Sequence, residues 1–242
     1  MIYRFDTLGS TNDEARNPLY VEGDVVIAEH QTAGRGQRGH TWESAEGQNL
    51  TFSLVLEPKF LPVNEQFLLS EVLALALVDT LAEYGVQCRI KWTNDIYAGD
   101  KKIAGVLIEQ SLAGETIART VVGIGLNINQ REFPADLPNP TSIIVERGVE
   151  CDRRAVLECF LKHLNRWYSC LERGERELIE KTYNERLYRR DAFHTYAYPS
   201  GERFEAAIRG VRATGHLCLE HRDGTFGEYA FKEVEFVVVR NA

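Results

Sequence analysis

The sequence predicts an α+β fold, a mixed β-sheet flanked by helices with a small, mostly β unit at its C-terminal end. Three observations carry this. Strand-like segments rich in β-branched residues are interspersed with long helical runs at 67–84 and 153–188. After Arg189-Arg190-Asp191 the pattern changes to short strands separated by polar turns. At 242 residues the chain is long enough for one large domain with or without a small appendage.

In chain order, Ser10-Thr11-Asn12-Asp13-Glu14-Ala15 reads as a helix start, with hydroxyl and amide side chains at the cap and acidic residues in the first turn. Such a terminus also attracts an anion or a polar ligand edge. Val25-Val26-Ile27-Ala28 and the run from Leu50 to Leu56 are strand-like and flank a glycine-rich loop. Phe67 to Tyr84 is apolar on nearly every face and stops at Gly85, the pattern of a deeply buried helix. Cys88 to Trp92, Ile103 to Glu109 and Ile117 to Ile124 read as strands, with Ala98-Gly99-Asp100 as a turn. From Arg153 to Tyr188, Leu157, Leu161, Leu164, Tyr168 and Leu171 recur at helical spacing, and Gly174 divides the run into two helices.

Beyond a boundary placed at residue 193, Phe204 to Val211, His216 to Glu220, Glu228 to Phe231 and Val234 to Val239 are strand-like, and Asp223-Gly224 is a hairpin signal. About fifty residues of this kind suggest a small β-barrel. The division is therefore 1–192 and 193–242, with no linker between, so the small unit is expected to pack directly on the large one.

Composition narrows the function. Apolar content of 44% and charged content of 26% describe an ordinary globular protein. A formal charge of −8 argues against a broad nucleic-acid-binding surface, so arginines at a site are local tools. The N-terminus lacks a signal-peptide pattern, and no segment approaches the ~18 uninterrupted apolar residues of a membrane span. The expectation is a cytoplasmic protein with no membrane partner. Its five scattered cysteines fit reduced structural thiols, and its six histidines show no metal spacing, so no dedicated metal site is expected.

The most informative stretch runs from Gln31 to Ser44. Glycines at 34, 36 and 39 permit close approach of backbone N–H groups to an anion, Arg35 and Arg38 add permanent charge, and Trp42 offers a face on which a base can stack. The spacing satisfies G-x-G-x-x-G, but a strand rather than a helix follows, which excludes a dinucleotide fingerprint. Kinase and P-loop patterns are also absent. Taken alone, the loop is either a mobile surface turn or an anion cradle.

Two further motifs accompany it. Lys91-Trp92-Thr93-Asn94-Asp95 precedes Lys102-Ile103-Ala104-Gly105; if these segments pair as a hairpin, Asp95 and Lys102 face each other and the carboxylate orients the ammonium beside a phosphate. The alternative is a solvated surface pair, worth below ~1 kcal/mol. Gly123-Ile124-Gly125-Leu126-Asn127-Ile128-Asn129 ends a strand with glycines and amides, and Asn127 is either a base or ribose contact or a turn former.

Together with Ser10-Thr11-Asn12, these motifs stand in the order found in biotin protein ligases, and the resemblance covers essentially the whole chain, terminal β-unit included. It implies a class II synthetase-like, biotin/lipoate ligase catalytic fold with an SH3-like C-terminal barrel. It implies an ATP-dependent ligase that activates biotin as biotinyl-5′-AMP, with Mg2+ accompanying ATP, and transfers it to a lysine of the biotin carboxyl carrier domain of a biotin-dependent carboxylase. Carried over by position, Lys102, Arg35 and Asp95 would be catalytic. Ser10, Thr11, Asn12, Gln31, Gly34, Arg35, Gly36, Lys102 and Gly105 would hold biotin. Arg35, Arg38, Gly39, Trp42, Asn94, Lys102 and Asn127 would hold ATP or the adenylate.

Some members carry arginine where this chain has Gln37 and His40, and proline where it has Thr93. No DNA-binding helix-turn-helix precedes the catalytic pattern, so a ligase without repressor function, as monomer or homodimer, is the expectation. Alternatives are a lipoate or octanoate ligase and a non-catalytic biotin sensor.

Overall fold

The computed structural model describes residues 1–237, except for the side chain of Arg38. The elements of the large unit are β1 (Ile2–Leu8), α1 (Thr11–Ala15), β2 (Val25–Gln31), β3 (Leu50–Leu56), α2 (Phe67–Glu83), β4 (Cys88–Lys91), β5 (Asp95–Ala98), β6 (Lys101–Ala113), β7 (Thr116–Leu126), α3 (Ile143–Arg147), α4 (Arg153–Glu172) and α5 (Arg176–Glu185). The strands form a seven-stranded sheet in the order β1-β2-β3-β7-β6-β5-β4. It is mixed, as expected: β1 and β2 are parallel and every other neighbouring pair is antiparallel.

Strand alternation gives the sheet two unlike faces. Ile27 of β2, Phe52 and Leu54 of β3, Ala104 and Val106 of β6, and Val122 and Ile124 of β7 belong to the main core with α2, α4 and α5. The intervening residues Val26, Val55 and Val121 form a small second cluster with Ala15 of α1 and Tyr20. On β6 and β7 that second face carries glycines at 105, 123 and 125, and the candidate site lies there.

The helix α2 is buried nearly all round, and the chain leaves it through Gly85 at φ +74°, with the Val86 N–H returning to the Leu81 carbonyl. Gly174, also at positive φ, separates α4 from α5 as the sequence predicts. The short α3 was not anticipated. It is capped by Ser142, which accepts from the Val145 N–H, and closed by Gly148 in the left-handed region.

The C-terminal unit begins at β8 (Phe193–Ala197) and continues with β9 (Arg203–Val211), β10 (Leu217–His221), β11 (Phe226–Tyr229) and β12 (Glu235–Phe236), in the order β11-β10-β9-β8-β12. Where a barrel is expected, the described residues form an open antiparallel sheet with β11 and β12 at its edges. Part of the strand expected at Val234 to Val239 lies outside the described residues. Packing on the large unit is direct: Ile208, Leu217 and Leu219 share the main hydrophobic cluster. Trp92 Nε1 donates to the Gly215 carbonyl at 2.9 Å. A Cβ at Gly215 would stand 2.7 Å from the Phe67 ring, so only glycine fits this seam.

No described helix is long and apolar enough to cross a membrane.

One core residue breaks the apolar rule. Glu71 on α2 is 1% exposed, and neither carboxylate oxygen has a hydrogen-bond partner. Burial, reinforced by the charge of Glu180, pushes its pKa up to about 8. The unfolded chain releases this proton near the usual carboxylate range while the folded chain keeps it to about pH 8, so stability falls as pH rises through that window. Glu71→Gln removes the effect. Denaturation of both proteins should show the variant's advantage growing by about 4 kcal/mol from pH 5 to pH 9. A difference that does not change with pH would contradict this.

Candidate active site

The floor of the site is made of glycine. Gly123 and Gly125 lie two apart on β7, hence on one face, and Gly125 is the cross-strand partner of Gly105 on β6. None of the three has room for a side chain. A Cβ at Gly123 would overlap the Asn12 amide, one at Gly125 would overlap the Trp42 indole, and one at Gly105 would stand 3.1 Å from both the indole and the Lys102 side chain.

At one end, polar groups from α1, β2 and β3 converge. Gln31 Oε1 accepts from the Thr11 N–H at 2.7 Å and lies 3.1 Å from the Thr11 hydroxyl. The buried Ser53 hydroxyl lies 2.8 Å from Thr11 Oγ1 and 2.5 Å from Asn12 Oδ1. The capping expectation fails here: Ser10 makes no side-chain cap hydrogen bond, and Thr11 and Asn12 bond across to β2, β3 and β6. With only five residues in α1, tertiary partners win over a local cap.

Arg35 is held by two carboxylates. Its guanidinium donates to both oxygens of Glu109 at 3.1 and 3.0 Å and to Asp13 at 2.8 Å. Glu109 also accepts from Asn12 at 2.9 Å and from Arg16 at 2.7 Å. Burial works against the Glu109 charge, but the donors from Asn12 and Arg35 outweigh it and hold the carboxyl below the usual carboxylate range.

At the other end, Lys102 and Asp95 pair at 2.7 Å. Asp95 stands opposite Gly105 in the β5–β6 ladder, while Lys102 is three residues before Gly105 and, across a register shift, opposite Tyr97. The ammonium therefore reaches its partner by crossing over Gly105, and the missing side chain leaves that path open. A second ammonium, Lys91, lies 3.9 Å from Asp95 and over the rings of Tyr97 and Phe236. Burial lowers the Lys91 pKa against the pull of Asp95.

The loop closes over the floor as a small hairpin. Trp42 N–H donates to the Gly34 carbonyl at 3.0 Å, and Gly36 N–H to the His40 carbonyl at 2.7 Å. The indole lies across Gly125, with Lys102 Nζ 5.6 Å from the ring centroid. The indole covers part of the floor, and the cavity beside it is small, about 50 Å3.

This one cavity brings together Ser10, Thr11, Asn12, Gln31, Arg35, Gly36, Trp42, Asn94, Lys102 and Gly105 of the residues singled out from sequence. Asn94 spends its amide N–H on the Val106 carbonyl, stapling β5 to β6. Gly34 sits behind the lining, where a Cβ would strike the Trp42 carbonyl, and Gly39 supplies the positive φ of the loop's 3-10 turn. Asp95 acts on the cavity through Lys102. Asn127 is not on the lining: it is buried past the end of β7, donating to the Thr141 carbonyl at 2.9 Å. The Arg38 side chain lies outside the described residues. Sequence reasoning missed Glu109 and Ser53. The alternation Gly105-Leu107-Glu109 on β6, and Ser53 breaking an apolar strand, were the available signals.

The family model described as the biotin/lipoate A/B protein ligase family matches residues 5–127. The bifunctional ligase/repressor BirA of Bacillus subtilis is 36% identical over 173 residues, 67% of this chain and 53% of that protein. The chain thus spans about half the length of such relatives. The biotin–[acetyl-CoA-carboxylase] ligase of Paracoccus denitrificans is 35% identical over 67% of this chain and 71% of its own length. The solved structure of biotin protein ligase from Aquifex aeolicus in complex with biotin and ATP superposes with a TM-score of 0.83, at 25% identity, over 98% of this chain and 99% of that one.

Gly125→Ala should expel the indole from the floor. Amide exchange across residues 34–42 is expected to accelerate at least tenfold while global stability changes by no more than about 1 kcal/mol. Unaltered loop exchange in the folded variant would refute the stacking account.

Proposed function

The chain belongs to the biotin/lipoate A/B protein ligase family, and on that premise we propose that it activates biotin with ATP as biotinyl-5′-AMP and then transfers the biotinyl group to a lysine of a biotin carrier domain. The observation that carries this reading is the placement of two cations, Arg35 and Lys102, on one glycine-floored cavity whose far end is a polar cluster of Thr11, Asn12 and Gln31. The solved relatives include one in complex with biotin and ATP and one, from Leishmania major, in complex with biotinyl-5-AMP.

In the first half-reaction the biotin carboxylate attacks the α-phosphorus and pyrophosphate leaves. Two anions must be brought together, and fixed cations offset their repulsion. Lys102 is suited to the α-phosphate because Asp95 fixes its ammonium. Arg35 is suited to the carboxylate and phosphate region once an anionic ligand draws it from Glu109 and Asp13. Arg35 is 35% exposed and Glu109 24%, so releasing the pair costs about 1 kcal/mol, little against binding an anion. The ureido end of biotin matches the donors and acceptors of Ser10, Thr11 and Gln31, and its ring needs the flat floor that glycines supply. Mg2+ would accompany the triphosphate of ATP.

In the second half-reaction the carrier lysine attacks the acyl carbon of the mixed anhydride, AMP leaves, and the amine proton is lost. Asp95 lies between Lys91 and Lys102, which favours an orienting role over that of a base for the incoming lysine. Trp42 and its loop, folded over the adenylate, would exclude water from a reactive intermediate.

Transfer of labelled biotin to a purified carrier domain tests the reading. Labelling should require Mg-ATP, and Lys102→Ala should lower its rate about 10²–10³-fold. ATP-dependent transfer of lipoate or octanoate in place of biotin would assign a different acid. Biotin binding without transfer would make the protein a sensor.

A further inference from the structure

A second group of ligand-bearing side chains stands on the helical layer, and none of them lines the biotin cavity. Cys159 and His163 lie four residues apart on one face of α4, and Glu83 is the last residue of α2, which packs against α4. The Cys159 thiol donates to Glu83 Oε2 at 3.3 Å, and His163 Nε2 lies 2.7 Å from Glu83 Oε1. One ligand atom from each residue falls within 4.8 Å of the other two.

We propose that Glu83, Cys159 and His163 bind one divalent cation of the zinc class, which clamps the end of α2 to α4. Thiolate, imidazole and carboxylate are the donor types that a borderline-soft cation takes, with water completing a tetrahedron. Metal–ligand lengths of about 2.0–2.3 Å imply ligand–ligand edges of about 3.3–3.8 Å. Cys159 meets Glu83 Oε2 at 3.3 Å, while His163 meets the other oxygen, Oε1, at 2.7 Å. One carboxylate oxygen must therefore turn to face both, a small rotamer change for Glu83, which is 47% exposed.

Charge also balances. The S–H bond breaks, a sulfur–metal bond forms and the proton goes to solvent, so thiolate and carboxylate together neutralise the cation. The carbonyl end of α2 adds further negative potential. His163 turns its other ring nitrogen, Nδ1, toward Asp79 Oδ2 at 3.9 Å, and Asp79 is itself fixed by Trp167 and Arg186. A carboxylate behind the imidazole is the usual outer partner of a metal-bound histidine. Lys162 approaches Glu83 at 3.6 Å, but with 74% exposure it is free to withdraw.

The test is a Co2+ titration of the metal-stripped full chain, followed by Zn2+ competition. One equivalent of Co2+ should give a thiolate-to-cobalt charge-transfer band that Zn2+ abolishes. Cys159→Ser and His163→Ala should weaken binding at least 100-fold, and Asp79→Asn about tenfold. Zn2+ should raise the melting temperature of the parent but not of Cys159→Ser, with biotin transfer unchanged in that variant. No band in the parent, or a band that survives Cys159→Ser, would overturn the site. If either variant fails to fold by circular dichroism, Glu83→Gln decides: retained affinity refutes the site, and at least tenfold loss supports it.

Discussion

The alternation of side chains on β6 and β7 is the constraint on which everything else rests. Each strand must bury one face against α2, α4 and α5, and Ala104, Val106, Val122 and Ile124 do so. The other face is then free, and at Gly105, Gly123 and Gly125 it carries no side chains. A slip of one residue in either strand would send those glycines into the core and the aliphatics into the site. Register, enforced by hydrophobic burial, therefore also positions the floor.

Onto that floor the fold brings charges that already have partners. Arg35 is satisfied by Glu109 and Asp13, and Lys102 by Asp95. In the ligand-free protein these pairs keep the cations in place without burying unpaired charge. In the proposed reaction an anion would take over contacts that are individually weak at partly exposed positions. The two cations differ in kind. Lys102 has one close carboxylate partner, Asp95, whereas Arg35 is shared between Glu109 and Asp13; in the proposed reaction Lys102 would keep its carboxylate while Arg35 would exchange partners. Trp42 links the two, since it closes the loop hairpin at one edge and lies beside the Lys102 ammonium at the other.

Most of the framework was legible because it rests on local physics. The apolar circumference of 67–84, the break at Gly174 and the β-branched strands all appear close to where their patterns place them. The Asp95–Lys102 pairing was legible from the hairpin spacing. What sequence did not show depends on contacts distant along the chain. Glu109 becomes a site residue only because it shares a face with Gly105 and lies within reach of Arg35, 74 positions away. Asn127, open between a base or ribose contact and a turn former in the sequence, stands past the end of β7 and donates to the Thr141 carbonyl, a contact set by distant chain. α3 has five residues, too short a period to register.

Biotin-dependent exchange of labelled pyrophosphate into ATP, with no carrier present, tests the central claim most directly, because it isolates the step in which one cavity must hold both anions. Exchange that requires biotin and falls sharply in Lys102→Ala is the predicted result. Exchange that proceeds without biotin, or equally well with octanoate, would contradict the account.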